Sequence, residues 1–270
     1  MKITWLGQGG FLLESGKYRL AVDPYLSDCV FKKEGLARLH PFPIPIPELK
    51  PDLVLVTHDH MDHLDPEGIP LIRAAYPDCR YAGPQRSYEH FLRLGIPEAS
   101  VTLVPMDATF SFGPFRVTSV FAAHSDPTSC GYVLETEGKR IYLSGDTNYD
   151  ERLLNERTKG MDLMLICING KLNNMNCGEA LKCVRSQMPE TALPMHIGLF
   201  AENTADPAPF VEECRKLLHQ EITDRKSQFR RHQFSLFARN VFPILNRTQN
   251  GRVGRRTADA VLLELLDESR

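Results

Sequence analysis

Three histidines, His58, His60 and His63, fall within six residues, and two aspartates, Asp59 and Asp62, lie among them. Imidazole nitrogens and carboxylate oxygens are ligands that Zn²⁺, Mn²⁺ and Fe²⁺ take in proteins. His58 and His60 are two residues apart, so on an extended chain they point to the same side. Asp62 and His63 follow where a helix would begin, so they can face a second metal position nearby. One loop is therefore predicted to serve two adjacent metal ions.

Four ligands cannot complete two metal positions, so the others must come from elsewhere in the chain. His124, Asp146 and His196 each follow a short apolar run that is typical of a strand. A lone histidine in such a place is more often a hydrogen-bonded core residue. A dense His/Asp run, by contrast, is costly to bury without a bound ion. The predicted metal ligands are His58, His60, Asp62, His63, His124, Asp146 and His196.

The elements that must position these residues alternate between strands and helices. The continuous apolar run 53–56 is typical of a strand buried on both faces, and it leads directly into the histidine cluster. The proline-rich segment 26–51 predicts a long loop. Further strands are predicted over 3–6, 11–14, 19–22, 80–82, 101–104, 109–112, 115–121, 131–136, 140–143, 163–168 and 192–194. Helices are predicted over 66–76, 85–94, 151–158, 178–188, 207–218 and 258–266. This pattern favours two packed sheets with helices outside them.

Composition and charge exclude several classes of protein. Hydrophobic residues make up 42% of the 270-residue chain and charged residues 24%, as in ordinary globular proteins. No apolar run is long enough to span a membrane, and the N-terminus lacks the pattern of a secretory signal. Seven scattered cysteines without a Cys-x-x-Cys pair favour a reduced, cytoplasmic setting. Residues 1–219 carry a net charge of −6 and have no basic face for nucleic acid.

The C-terminal segment differs from the rest of the chain. Residues 220–270 carry ten Lys or Arg against six Asp or Glu, and their apolar residues show little sustained period. We therefore divide the chain into a domain over 1–219, which carries the candidate metal ligands, and an atypical basic C-terminal extension, 220–270, which is expected to be poorly ordered. Residues 225–270 are predicted to contribute nothing to the metal site and to be removable.

The run His58-Asp59-His60-Met61-Asp62-His63 resembles the His-x-His-x-Asp-His motif of the metallo-β-lactamase superfamily. His124, Asp146 and His196 follow in that family's order, and the resemblance covers about residues 1–218. It implies an α/β fold, a four-layer αββα metallo-β-lactamase-like sandwich. It also implies that His58, His60 and His124 hold one ion, that Asp62, His63 and His196 hold the second, and that Asp146 bridges them. In the same resemblance Asp59 orients a ligand histidine, and Asp23 braces the site loop.

Three stretches, 57–65, 169–176 and 194–200, resemble the L-ascorbate-6-phosphate lactonase-like branch of that superfamily. This resemblance implies a cytoplasmic enzyme that uses one or two divalent ions, Zn²⁺ or Mn²⁺. Lys171, Asn173 and Asn176 would contact the anionic group of the substrate. A polar turn, with Asn176 capping the helix that follows, is the competing interpretation of these residues.

The expected chemistry is hydrolysis by a metal-activated hydroxide, with Asp62 accepting the proton and Asp59 assisting. No Gly-x-Ser-x-Gly elbow occurs that would supply a serine nucleophile. The expected substrate is a small anionic lactone or ester, such as a sugar-phosphate lactone. A phosphodiesterase remains an alternative because the same two-metal geometry cleaves phosphate esters. A non-catalytic metal-binding module is the other alternative. The sequence also leaves open whether the protein assembles into a homo-oligomer.

Overall fold

The structure, a computed structural model, describes residues 1–224 and 262–264. The first sheet contains β1 (Lys2–Gly7), β2 (Gly10–Ser15), β3 (Tyr18–Val22), β4 (Leu53–Leu55), β5 (Arg80–Gly83), β6 (Val101–Leu103) and β13 (Leu262–Glu264). The second contains β7 (Thr109–Phe112), β8 (Phe115–Phe121), β9 (Cys130–Thr136), β10 (Lys139–Leu143), β11 (Leu163–Cys167) and β12 (Thr191–Met195). The helices are α1 (Cys29–Glu34), α2 (Ile46–Leu49), α3 (Gly68–Ala75), α4 (Gln85–Arg93), α5 (Cys177–Gln187) and α6 (Ala208–Asp224).

Apolar side chains from both sheets form the central core. Leu20 and Leu55 of the first sheet belong to the same buried cluster as Val117, Leu134 and Leu165 of the second. Burying each such side chain stabilises the fold by about 1.5–3 kcal/mol. Because strand residues alternate in direction, the opposite face of each sheet remains to be covered.

Helices cover both outer faces. Ile72 of α3 and Phe91 of α4 pack with Val54 of β4 on the outside of the first sheet. Val184 of α5 and Phe210 of α6 belong to the cluster that contains the second sheet. The order of layers is therefore helix, sheet, sheet, helix, and the predicted four-layer α/β sandwich is confirmed.

The strands that precede the candidate ligands run in a common direction within each sheet. In the sheet ordered β13-β1-β2-β3-β4-β5-β6, β1 and β3 are both antiparallel to β2, and β3 is parallel to β4. In the sheet ordered β12-β11-β10-β9-β8-β7, β8 and β10 are both antiparallel to β9, and β10, β11 and β12 are parallel. The carboxyl ends of these strands therefore gather at one edge of each sheet, where open α/β sheets bind their ligands.

Two local predictions are corrected by the structure. The segment 26–51 is not loop throughout, since it contains α1 and α2, which are too short to show a helical period in the sequence. The helix predicted over 151–158 is reduced to one 3-10 turn, Glu151–Leu153. After that turn, Asn155 donates to the carbonyl of Arg152, and Thr158 donates to the carbonyl of Leu153. Such local side-chain bonds compete with helix propagation.

The C-terminal strand β13 pairs with the outer side of β1, with Ile3 opposite Leu263. The helix predicted over 258–266 is therefore wrong at residues 262–264, and its other residues lie outside the described ranges. Helix α6 continues across the proposed boundary at residue 219. The division into 1–219 and 220–270 otherwise stays a prediction. Among the described residues, no helix is both long enough and apolar enough to cross a membrane.

Candidate metal centre

The seven predicted ligands lie together at the edge where the strands end. The turn after β4 carries His58, His60, Asp62 and His63, and β4 itself is buried by both neighbouring layers. His124 follows β8, Asp146 follows β10 and His196 follows β12. The two sheets therefore each supply part of one cluster.

Three imidazole nitrogens converge at what we call position one, formed by His58, His60 and His124. Nε2 of His58 lies 3.0 Å from Nδ1 of His60, and Nε2 of His124 lies 3.2 Å from the same Nδ1. Ligand atoms bound to Zn²⁺ at about 2.0–2.1 Å in a tetrahedron are about 3.3 Å apart. The nitrogens thus have nearly the spacing that an ion between them requires.

Position two is formed by Asp62, His63 and His196. Nε2 of His196 lies 3.4 Å from Oδ2 of Asp62, and Nε2 of His63 lies 3.8 Å from that same oxygen. Asp146 lies between the positions. Its Oδ1 is 3.4 Å from Nε2 of His63, and its Oδ2 is 3.0 Å from Nε2 of His196 and 3.9 Å from Nε2 of His124. One carboxylate therefore faces donors of both positions.

Two buried atoms at the centre of the cluster have no hydrogen-bond partner in the structure. They are Nε2 of His63 and Oδ1 of Asp146. They lie 3.4 Å from each other, within ion-pair distance. Both have lone pairs that a cation can use, and the donor set of imidazoles and carboxylates suits a divalent ion. The residues present therefore fit a metal, and position one, position two and the bridging Asp146 could hold two.

Neighbouring residues fix which nitrogen faces the centre in three of the rings, those of His58, His63 and His124. Nδ1 of His63 donates to Oδ2 of Asp23 at 2.8 Å. The hydroxyl of Thr57 donates to the same Asp23 oxygen, which leaves the Thr57 oxygen free to accept from Nδ1 of His58. Nδ1 of His124 donates to the carbonyl of Asn173. In each ring the other nitrogen, Nε2, is left with its lone pair toward the centre, the arrangement typical of metal-binding histidines.

The electrostatics of the cluster favour positive charge at its centre. Burial alone would lower the pKa of His63, but Asp146, Asp62 and Asp23 raise it well above its usual range. Burial would likewise raise the pKa of Asp146, but His196 and His63 hold it well below its usual range. The buried carboxylates thus attract either protons or a metal cation to the same place.

The loop 169–176 lies against this centre. Its three predicted substrate-contacting residues, Lys171, Asn173 and Asn176, each have a different partner in the structure. Asn173 contributes its carbonyl to His124, as described above. The side chain of Asn176 accepts from the backbone of Glu179 and caps α5, and Lys171 donates to the carbonyl of Glu202. Asn174, which is not among the site residues predicted from the sequence, donates from Nδ2 to Oδ2 of Asp146 at 2.8 Å.

The predicted role of Asp59 in orienting a ligand histidine is corrected. Its carboxylate contacts His90 and Arg93 of α4 rather than a member of the cluster. The reason is local, because adjacent residues of an extended turn point in opposite directions. Asp59 lies between two inward-facing histidines and so faces α4. The orienting contact comes instead from Asp23, whose expected bracing role also matches its bonds to both the backbone and the hydroxyl of Thr57.

Gln8 is a further residue that the sequence did not point to. It follows β1, is fully buried, and donates from Nε2 to Oδ2 of Asp62 at 3.0 Å. An isolated glutamine among glycines has no motif signal of its own. Only the shared direction of β1, β3 and β4 explains why it reaches the cluster.

Comparisons with known proteins agree with this fold. The model of the beta-lactamase superfamily domain matches residues 18–197. A metallo hydrolase from Ignicoccus hospitalis has a similar structure, with a TM-score of 0.63 at 21% identity over 80% of this chain and 91% of the other. A metallo-beta-lactamase fold protein from Bacillus subtilis is similar with a TM-score of 0.61 at 19% identity, over 80% and 92% of the two chains. At these identities the likeness shows the fold, and the predicted metallo-β-lactamase architecture is confirmed.

Two relatives show the family more closely. A UPF0173 protein from Pyrococcus furiosus is 33% identical over 219 residues, which are 80% of this chain and 91% of the relative. A UPF0173 metal-dependent hydrolase from Pelotomaculum thermopropionicum is 30% identical over 221 residues, 78% of this chain and 90% of the relative. Both alignments cover nearly the whole relative. The chain therefore belongs to the UPF0173 metal-dependent hydrolases of the beta-lactamase superfamily.

Proposed function

We propose that this protein is a two-metal hydrolase that opens a small anionic lactone or ester, such as a sugar-phosphate lactone. The observation that carries the proposal is the convergence of seven donor side chains, two of which present buried atoms without a hydrogen bond, Nε2 of His63 and Oδ1 of Asp146. Position one and position two would each hold one ion, Zn²⁺ or Mn²⁺, with Asp146 shared between them.

Bound divalent ions lower the pKa of water to about 7 and polarise the carbonyl oxygen of a substrate. The side chain of Asp62 is 18% exposed, compared with 6% for Asp146 and 0% for His63. Asp62 is therefore the cluster carboxylate most open to substrate and water, and in this proposal it accepts the proton that the attacking water loses. The water oxygen bonds to the carbonyl carbon, the scissile C–O bond breaks, and the leaving oxygen takes up the proton that Asp62 had accepted. Thr57, Asp23 and Asn173 keep the rings of the cluster in place during these steps.

The anionic character of the proposed substrate is supported by Lys171. This lysine is exposed on the loop 169–176, two residues from the carbonyl that orients His124 and three from the amide that contacts Asp146. Its ammonium group now donates to a backbone carbonyl of Glu202, a weak partner that an anion could replace. The resemblance to the lactonase-like branch supports a lactone, a cyclic ester, as the substrate.

Kinetics on three substrates test the reaction class. We expect a higher kcat/KM for a sugar-phosphate lactone than for a neutral lactone or a bis-aryl phosphodiester. Lys171→Ala should lower kcat/KM for the anionic lactone and leave that for the neutral lactone unchanged. Lys182→Ala, a lysine on α5 that packs over Tyr149, is the matched control. A preference of the wild-type protein for the phosphodiester would contradict the proposal and favour a phosphodiesterase.

Metal analysis tests the ligand assignment separately from turnover. Single alanine variants of the seven donors should each bind less metal than the wild-type protein, because each loses one ligand. His40→Ala is the control, since His40 lies beside Trp5 and bonds the carbonyl of Pro41 outside the cluster. Full metal content in the His60→Ala protein would contradict the assignment of position one.

A further inference from the structure

Gln8 contacts both a carboxylate and an imidazole of position two. Its Nε2 donates to Oδ2 of Asp62 at 3.0 Å and lies 3.2 Å from Nε2 of His196. The side chain is fully buried, so water does not compete for these contacts. The bond to the Asp62 carboxylate is charge-assisted, and such bonds are stronger than those between neutral groups.

The backbone holds Gln8 in this place at a conformational cost. Gln8 has φ +49° and His196 has φ +59°, both in the left-handed region that non-glycine residues rarely adopt. The carbonyl of Gln8 accepts from the backbone of His196 at 3.0 Å and from the indole of Trp5 at 3.1 Å. Two strained residues are thus joined directly at position two. Strain of this kind persists where the surrounding structure enforces it, and it clusters at functional sites.

We propose that Gln8 is a positioning residue that sets the metal affinity of position two. The inference rests on the proposed two-metal function. The amide of Gln8 holds Oδ2 of Asp62 at one orientation through its N–H, beside the ring of His196. An amide has no charge and does not titrate near neutral pH, so it can orient Asp62 without adding to the charge of the site. Replacing residues that orient metal ligands typically weakens metal binding about 10- to 100-fold.

A second buried glutamine separates this role from ordinary packing. Gln187 of α5 is 4% exposed, and its Oε1, like that of Gln8, has no hydrogen-bond partner in the structure. It lies at the end of a helix on the outer face of the second sheet, away from the candidate ligands. Gln187→Ala therefore removes a comparable side chain without touching position two.

The test is calorimetric titration of the metal-free protein with Zn²⁺, supported by absorption spectra of the Co²⁺-loaded protein. Gln8→Ala keeps a Cβ at the same φ, so it adds no backbone strain beyond that already present. We expect its Zn²⁺ affinity to fall about 10- to 100-fold at position two only, and the Co²⁺ spectrum to change. Gln187→Ala should match the wild-type protein in both. Unchanged binding at position one also serves as the internal check that the variant is folded.

Two further variants test whether the loss of Zn²⁺ affinity belongs to position two and to the N–H donor of Gln8. In a His60→Ala background, which lacks a donor of position one, the loss caused by Gln8→Ala should persist. Gln8→Glu keeps the size but replaces the N–H donor with a carboxylate beside Asp62, so it should also weaken binding. Wild-type affinity in Gln8→Ala, or tighter binding in Gln8→Glu, would overturn the positioning role. A protein that shows this dependence on Gln8 but hydrolyses no lactone or ester would overturn the proposed function and leave the inference standing.

Discussion

At the scale of single residues, the centre depends on hydrogen bonds that hold one nitrogen of His58, His63 and His124 and leave the other facing the centre. Asp23 is the hub of this arrangement, because it accepts from Thr57 at both the backbone and the hydroxyl and from His63. The chain from His58 through Thr57 to Asp23 links position one to position two. A change that moves any one ring is therefore expected to disturb metal binding before it disturbs the fold.

Gly9 gives a sharp test of ring position. A Cβ built on Gly9 would lie 2.7 Å from Cε1 of His63, closer than such atoms approach, and 3.3 Å from Cε of Met195, a tight contact. Its backbone does not require glycine for φ, so the effect is steric alone. Gly9→Ala should displace His63 and reduce metal affinity, measured by titration with Zn²⁺.

Gly16→Ala is the contrasting variant for this prediction. Gly16 lies at the turn between β2 and β3 with φ +56°, and a Cβ there meets no atom within 4 Å. This substitution should cost about 1 kcal/mol or more of stability through backbone strain, without altering metal binding. Wild-type metal affinity in Gly9→Ala would show that the ring of His63 can move without loss.

At the scale of elements, the loop and helix that follow β11 have separable roles. Asn173 and Asn174 contact the centre, whereas Asn176 and Glu179 form a reciprocal capping box at the start of α5. The polar-turn interpretation is thus correct for the cap, and the predicted substrate contact of Asn176 stays a prediction.

Asn176→Ala distinguishes the two roles of that residue. Loss of the cap should lower the free energy of unfolding by about 1 kcal/mol, as measured by urea denaturation. Metal content and the KM for an anionic lactone should not change if the cap is its whole role. A rise in KM with unchanged stability would instead favour substrate contact.

At the scale of the whole molecule, the C-terminal segment adds β13 to the edge of the first sheet. On its other side β1 pairs with β2, and it ends next to Gln8. A chain that ends at residue 224 would leave the outer side of β1 unpaired, and such edges favour association. The metal ligands all lie before residue 197, so the shortened chain should still bind metal.

Metal analysis and size-exclusion chromatography of the shortened chain test this prediction. We expect wild-type metal content, with a greater tendency to associate because the edge of β1 is open. Loss of metal in a shortened protein that remains folded by circular dichroism would mean that β13 helps to hold the end of β1 at the centre.

The sequence by itself determined the candidate ligands and most of the strands, because both are local patterns. The apolar run before His58 and the order of His124, Asp146 and His196 are readable without any contact map. Short helices such as α1 and α2 were not predicted because they span too few residues to show a helical period of apolar residues. The contact between Asp59 and His90 was not predicted because His90 lies in α4, far from Asp59 along the chain.

The tertiary structure alone decided which other residues reach the two positions. Gln8, Asn174 and Asp62 come from ends of strands in two different sheets or from the turns that follow them, and their meeting depends on strand direction and on how the sheets pack. Asp146 spans both positions only because β10 ends opposite the turn after β4. Side chains that are distant in sequence become neighbours through the burial of a common apolar core, and that juxtaposition has no local signature.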